Sequence, residues 1–190
     1  RNGSESHHGW AVYHHAVTDA STDYVKLNTT DARIQTDVNY MGSTLPTSSV
    51  FSLGYNYTTN ESGKNYVAYC WTDIPGYSKF GVYKGNNNAN GTYIHLGFRP
   101  AWVMIKNVDA SSTEWYILDG ARDPDNPVGQ YLSSSSTASE STYVFYDFLS
   151  NGFKLRNTGN AQNPNNQNII YMAFAEQSGS TAYATETNPR

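Results

Sequence analysis

The densest run of oxygen ligands in this 190-residue chain is Asp119-Gly120-Ala121-Arg122-Asp123-Pro124-Asp125-Asn126. Carboxylates so close together suit a hard cation such as calcium, which gathers about six to eight oxygens. The run lacks the Asp-x-Asp-x-Asn-Gly order and a distal bidentate Glu. Asp119, Asp123 and Asp125 can equally form a turn in which carboxylates accept backbone amides and Arg122 pairs with one of them. A second chemistry is sugar stacking, in which a ring covers the apolar face of a pyranose while amides bond its hydroxyls. Tyr55, Tyr57 and Asn60 share one Asn- and Thr-rich stretch, and Asn86, Asn88 and Asn90 precede Tyr93. These seven are the candidate ligand-binding residues. The alternative is that the tyrosines are sheet residues with one wet end.

Nucleophilic catalysis finds little support. No Gly-x-Ser-x-Gly elbow occurs, and Cys70 falls in an apolar run that predicts a small buried residue. A glycosidase needs two carboxylates across a cleft, and Asp119, Asp123, Asp125, Glu140 and Asp147 qualify by type alone. His7-His8 and His14-His15 are adjacent pairs, whose side chains leave opposite faces of a strand and chelate one ion poorly. His95, between Ile94 and Leu96, reads as a packing or hydrogen-bonding residue. Asn-x-Ser/Thr sequons at Asn2, Asn28, Asn56, Asn60 and Asn90 are expected in so Asn- and Thr-rich a chain. No catalytic residue and no cofactor is assigned.

The elements that position these residues are short. Aromatic residues make up 14% of the chain, with 16 Tyr, and charged residues only 15%, against a usual ~25%. That balance favours half-buried sheets joined by Asn, Gly and Ser turns. A net charge of −4 without a basic run argues against nucleic acid, and no apolar stretch is long enough to span a bilayer as a helix. A lone cysteine excludes an intramolecular disulfide. Alternation predicts strands over 79–84, 92–96, 101–106, 115–119, 143–149, 153–156 and 168–175, and a helical turn over 127–132. The run Trp102-Val103-Met104-Ile105 predicts a strand buried on both faces. Ser150-Asn151-Gly152 predicts a hairpin turn using the positive φ angles that Asn-Gly supplies.

The chain also repeats. Asn65-Tyr66-Val67-Ala68-Tyr69-Cys70-Trp71 matches Asn168-Ile169-Ile170-Tyr171-Met172-Ala173-Phe174, and Val50-Phe51-Ser52-Leu53 matches Gly152-Phe153-Lys154-Leu155. The copies lie roughly a hundred residues apart, a usual domain size. First-copy strands are expected over 10–15, 24–28, 33–38, 50–54 and 66–73. The reading is all-β, as tandem antiparallel β-sandwich (jelly-roll-like) units. The first, 1–76, is truncated at its N-terminus and lacks its first strand, the second is 77–176, and 177–190 is an extended tail. Trp71, Trp102, Met104, Trp115, Phe153 and Phe174 are the expected core.

Several ordered segments carry a resemblance: Gly76-Tyr77-Ser78-Lys79-Phe80-Gly81, Tyr83-Lys84-Gly85-Asn86, Gly97-Phe98-Arg99-Pro100-Ala101-Trp102, Trp115-Tyr116-Ile117-Leu118-Asp119, Asp147-Phe148-Leu149-Ser150-Asn151-Gly152 and Tyr171-Met172-Ala173-Phe174. The chain resembles a repeat domain of tail-fibre and related structural proteins of tailed bacteriophages, a group mostly described as of unknown function. Asn87 stands where similar sequences often place Gly. The resemblance implies a non-enzymatic virion protein, assembled in the bacterial cytoplasm as a homo-oligomer, trimer or fibre with other virion proteins. Contact with host-surface glycan is a further expectation. Two other readings stay open: a self-assembling filament or spacer with no ligand, and a carbohydrate-active enzyme domain.

Overall fold

The computed structural model describes residues 9–17 and 19–175, and over them the chain is almost wholly β. His7-His8, the Asn2 sequon and the 177–190 tail lie outside the described residues. Eight strands form one antiparallel sheet: β3 (Ser78–Lys84), β4 (Tyr93–His95), β5 (Pro100–Asn107), β6 (Trp115–Asp119), β7 (Val128–Ser133), β8 (Ser141–Leu149), β9 (Gly152–Leu155) and β10 (Asn168–Ala175). Two short strands precede them in the chain. Their spatial order is β3-β10-β5-β6-β7-β8-β9-β4. The two edges of that order are consecutive in the chain, so the sheet curls nearly shut into a barrel. Thr92 Oγ1 donates to Lys84 O at 3.1 Å across the seam.

Alternation fills the barrel. Val103, Ile105, Leu118, Tyr146, Phe153 and Ile169 point into one core and are essentially sealed from water. Each such side chain contributes about 1.5–3 kcal/mol through burial. The Tyr83 and Tyr146 hydroxyls meet at 3.1 Å, and Tyr83 Oη donates to Gln162 O at 2.8 Å, so polar ends inside the core are paired. Burial drives both phenols well above their ordinary range.

Every predicted strand from 79 onward is present, and one more besides. The stretch expected to hold a helical turn is β7, which pairs Leu132 with Ile117 and Tyr131 with Leu118. Sheet neighbours on both sides outweigh a weak local pattern there. The β8–β9 hairpin exists with Leu149 opposite Gly152, but its loop is Ser150-Asn151 and none of the three residues adopts the left-handed φ expected of Asn-Gly. Gly152 serves a close approach instead, because a Cβ there would lie 2.0 Å from Ile94 O on β4. Asn87 has φ 49, the conformation that Gly would adopt freely and Asn tolerates.

The earlier part of the chain dresses the outside of this barrel. β1 (Ala11–Val12) and β2 (Val25–Lys26) form a two-stranded antiparallel sheet. Val17, Ala20 and Val25 pack on Met104, Trp115 and Ile170, the outward face of β5, β6 and β10. This second layer is why 102–105 is apolar on both faces. Trp115 Nε1 donates to Lys26 O at 2.8 Å, Ser134 Oγ to Leu27 O at 3.0 Å and Arg33 N to Val108 O at 2.9 Å. The Arg33 guanidinium bridges Asp23, 2% exposed, and Asp109, whose other oxygen accepts both amide groups of Asn168. Lys106 is sealed beneath the same layer. Its Nζ donates to Thr113 O and Oγ1, and burial pushes it down to about 8.

The all-β antiparallel class is shown, but the first-copy strands do not build a second sandwich among the described residues. A four-residue helix, α1 (Val38–Met41), capped by Asp37, follows the stretch predicted as a strand over 33–38. Residues 50–54 and 67–73 carry no regular secondary structure. Of the expected core, Met104, Trp115 and Phe153 are buried, while Trp102 and Phe174 are half-buried on the outer face. Trp71 is 58% exposed, and Cys70 is exposed rather than buried. Both lie on the segment that resembles β10 in sequence but has no β3 or β5 of its own to cover it among the described residues.

Candidate glycan-binding surface

Residues 67–73 form an arm that leads to the Ile74–Ser78 bridge and passes beside Phe174 on the outer face of β10. Tyr69 and Trp71 are two apart, with ring centroids 6.0 Å apart and planes inclined 25°. Trp10, from the start of the dressing layer, continues the series at 5.9 Å from Tyr69 with planes inclined 31°. Tyr69 is 64% exposed. Trp71 is 58% exposed and Trp10 is half-buried, so the two open rings of the series are Tyr69 and Trp71, where a flat apolar partner gains most.

The arm is fixed where it rejoins the sheet. Ile74 N donates to Ser78 O at 3.1 Å and Ser78 N to Ile74 O at 3.0 Å, forming an antiparallel bridge. Phe80 N donates to Asp73 Oδ1 at 2.9 Å, and Ser78 Oγ to Thr72 O at 2.8 Å. Behind this anchor, Phe174 of β10 is edge-on to Tyr77 and Phe80, with centroids at 5.9 and 6.0 Å. An open cleft of ≈ 470 Å³ lies between arm and sheet, lined by Cys70, Trp71, Thr72, Ile74, Tyr77 and Phe174, with Ser78. His14 sits at the edge of the same region, buried, accepting Ala16 N–H on Nδ1 at 3.2 Å and lying 3.3 Å from Tyr171 O through Nε2. Burial pushes its ring down to about 4.

The loops singled out by sequence occupy other ground. Tyr55 and Tyr57 are 79% and 58% exposed, and Asn60 is exposed beside them. Their turn is organised from within: Asn56 Oδ1 accepts Thr58 N–H at 2.8 Å, and Tyr66 Oη donates to Tyr57 O at 2.7 Å. In the second loop, Asn86 Oδ1 accepts Asn88 N–H and Asn88 Oδ1 accepts Asn90 N–H, at 3.1 and 2.8 Å. Buried Asn163 holds that loop from beneath, accepting Asn86 N–H and donating to Asn88 O. Tyr93 Oη donates to Asn151 Oδ1 at 2.6 Å, tying β4 to the β8–β9 turn. The Asn86 and Asn88 side-chain carbonyls and the Tyr93 hydroxyl are thus engaged with the backbone or a neighbour.

The acidic run behaves as a turn. Asp119 pairs with Arg122, which also reaches Glu140 at 2.8 Å. Asp123 Oδ2 accepts the backbone amides of Gly129 and Gln130 at 2.7 and 2.9 Å. Asp125 is exposed, and Asp147 is paired with Arg156. These pairings engage Asp119 and one oxygen each of Asp123, Glu140 and Asp147. Among the described residues no group of three His, Cys, Asp or Glu side chains could hold a metal ion. His14 and His15 do stack, with centroids 5.0 Å apart, but Nδ1 of His14 is already an acceptor for the chain.

Sequence reasoning placed Trp71 in the core and did not single out Trp10 or Tyr69. The usable signal was Tyr69-x-Trp71 in an extended stretch, which puts two large rings on one face. What it could not give was whether sheet neighbours cover that face.

No curated protein and no solved structure matches the chain. A family model described as a domain of unknown function, DUF7483, matches residues 2–178, so it spans the dressing layer, the arm and the barrel together. The chain belongs to that family.

Proposed function

We propose that the chain is a non-catalytic structural module of a phage tail fibre or similar virion appendage, which presents the row Trp10, Tyr69 and Trp71 to host-surface glycan. The observation that carries this reading is the exposed pair Tyr69 and Trp71, continued by half-buried Trp10 and held on the barrel by the anchor at Ile74 and Ser78. The resemblance to tail-fibre repeats supports the location. Repeated weak sites on an oligomeric appendage gain avidity through effective concentration, so a single row need not bind tightly. Binding of the intact chain to host cells or their surface polysaccharide tests it. Stacking contributes about 0.5–1.5 kcal/mol per ring, so the double variant Tyr69→Ala/Trp71→Ala is expected to weaken binding roughly tenfold or more. Replacement of 86–90 by Gly-Ser is expected to matter less. Unchanged affinity in the double variant would refute the assignment of the row.

A second reading, a self-assembling spacer, is favoured by a different observation. Val38, Leu45, Val50 and Phe51 are all 47–63% exposed, and residues 38–60 carry no charged side chain. An uncharged apolar surface can face its own copy across a two-fold axis without self-repulsion. A monomer at every concentration in light scattering would remove that reading.

A further inference from the structure

The aromatic row ends at a cleft, and the cleft has a chemistry of its own. Its walls are Trp71, Ile74, Tyr77 and Phe174, and its polar contribution comes from Thr72, Ser78 and the Tyr77 phenol. Among the described residues none that lines it is charged. The Ser78 hydroxyl is spent on Thr72 O, leaving the Thr72 and Tyr77 hydroxyls as the adaptable polar groups. Its volume, ≈ 470 Å³, falls within the roughly 300–1,000 Å³ of small-ligand sites. The floor belongs to β10 and the far wall is bridged to β3, so the shape exists before any ligand arrives.

We infer that this cleft binds one uncharged pyranose unit of a glycan whose neighbouring units lie along Trp71, Tyr69 and Trp10. The inference rests on the glycan reading above and names its ligand class. A uronic or sialic acid would bring a carboxylate to a lining that, among the described residues, has no Lys or Arg to pair it, and leaving that charge unpaired beside Ile74 and Phe174 costs binding. A purely apolar ligand would strand the Thr72 and Tyr77 hydroxyls. A pyranose offers both an apolar face and hydroxyls, which is the mixture presented here. The aromatic row meets the cleft at Trp71, which belongs to both.

Cys70 reports on occupancy directly, because it is the chain's one cysteine, is exposed and lines the cleft. The experiment is the rate of Cys70 alkylation by iodoacetamide in the intact 190-residue chain, with soluble mannan, dextran or galactan, or with anionic alginate as the contrast. Binding is followed in parallel by tryptophan fluorescence. At least one neutral polysaccharide is expected to slow alkylation fivefold or more, and alginate to leave it unchanged. Tyr77→Ala, at a residue 43% exposed, is expected to abolish the protection, while Phe51→Ala preserves it. Binding that is lost in Tyr69→Ala but never protects Cys70 would overturn the cleft and leave the aromatic row standing. Protection by alginate equal to that by the neutral polymers would overturn the ligand class. Absence of binding to every polysaccharide would overturn the glycan reading and this inference with it.

Discussion

Acidification should loosen the dressing layer through His14. The ring lies buried between that layer and β10, where Nδ1 accepts Ala16 N–H, which makes Nε2 the protonated nitrogen facing Tyr171 O. A second proton would have to sit on Nδ1, against the Ala16 amide. Burial is the largest cause of the shift down to about 4; the Tyr171 carbonyl and Asp73 oppose it, and His15 adds to it. The unfolded chain, with an ordinary imidazole near 6.5, therefore binds more protons than the folded chain between pH 6.5 and 4. Stability is fully present above that window and declines as pH falls through it. With those two values, the loss between pH 7 and pH 5 is about 2 kcal/mol. The assay is urea unfolding at both pH values, comparing the native chain with His14→Asn, whose side-chain oxygen can still accept Ala16 N–H but does not titrate. The variant should be less stable at pH 7 by about 1 kcal/mol, for the lost Tyr171 bond, yet lose about 2 kcal/mol less on acidification. Equal acid sensitivity in the two proteins would refute the assignment to His14.

Two further outcomes follow from packing and charge. Arg33→Met removes the bridge between Asp23 and Asp109 while keeping much of the side-chain volume, and leaves Asp23 with amide donors from Asp19 and Thr36 at 3.3 and 3.1 Å. A loss of about 2–3 kcal/mol in urea unfolding is expected, and one below about 0.5 kcal/mol would show the bridge to be incidental. Gly152→Ala forces a Cβ to within 2.0 Å of Ile94 O, so β4 must shift, at a cost of about 3 kcal/mol in thermal or urea unfolding. A variant as stable as the native chain would show that the β4–β9 edge yields freely.

The barrel was legible because its strands alternate and its loops carry turn residues: 101–106, 115–119 and 168–175 are near their observed limits. β7 was missed because Val128-Gly129-Gln130-Tyr131 has little alternation of its own and is held by β6 and β8. The apolar run at 102–105 announced two covered faces but not what covered the outer one, since contacts such as Val25 on Trp115 join residues far apart in sequence. In the Asn-rich loop, composition reports amide groups without reporting their partners. Asn163, which engages Asn86 and Asn88, comes from the other end of the barrel sequence. The aromatic row was hidden for the opposite reason, since its residues carry the signature of a buried strand.

That signature explains the row once the two copies are laid side by side. Tyr69 and Trp71 match Met172 and Phe174, the outward positions of β10, and Cys70 matches Ala173, which is sealed inside the barrel. In β10 the outward pair is shielded by Trp102, Phe80 and Tyr77 and by the dressing layer, because β3 and β5 flank the strand and bring those rings to it. Among the described residues the arm has the residues of such a strand without the flanking pair, so Tyr69 meets only the Trp10 and Trp71 rings there, and Tyr69 and Trp71 stay exposed. Strand propensity is thus satisfied or frustrated by neighbours rather than by sequence alone. The same substitution pattern decides what each copy can do: where β10 carries Met172, the arm carries Tyr69, trading an adaptable packing side chain for a flat ring that remains useful when exposed.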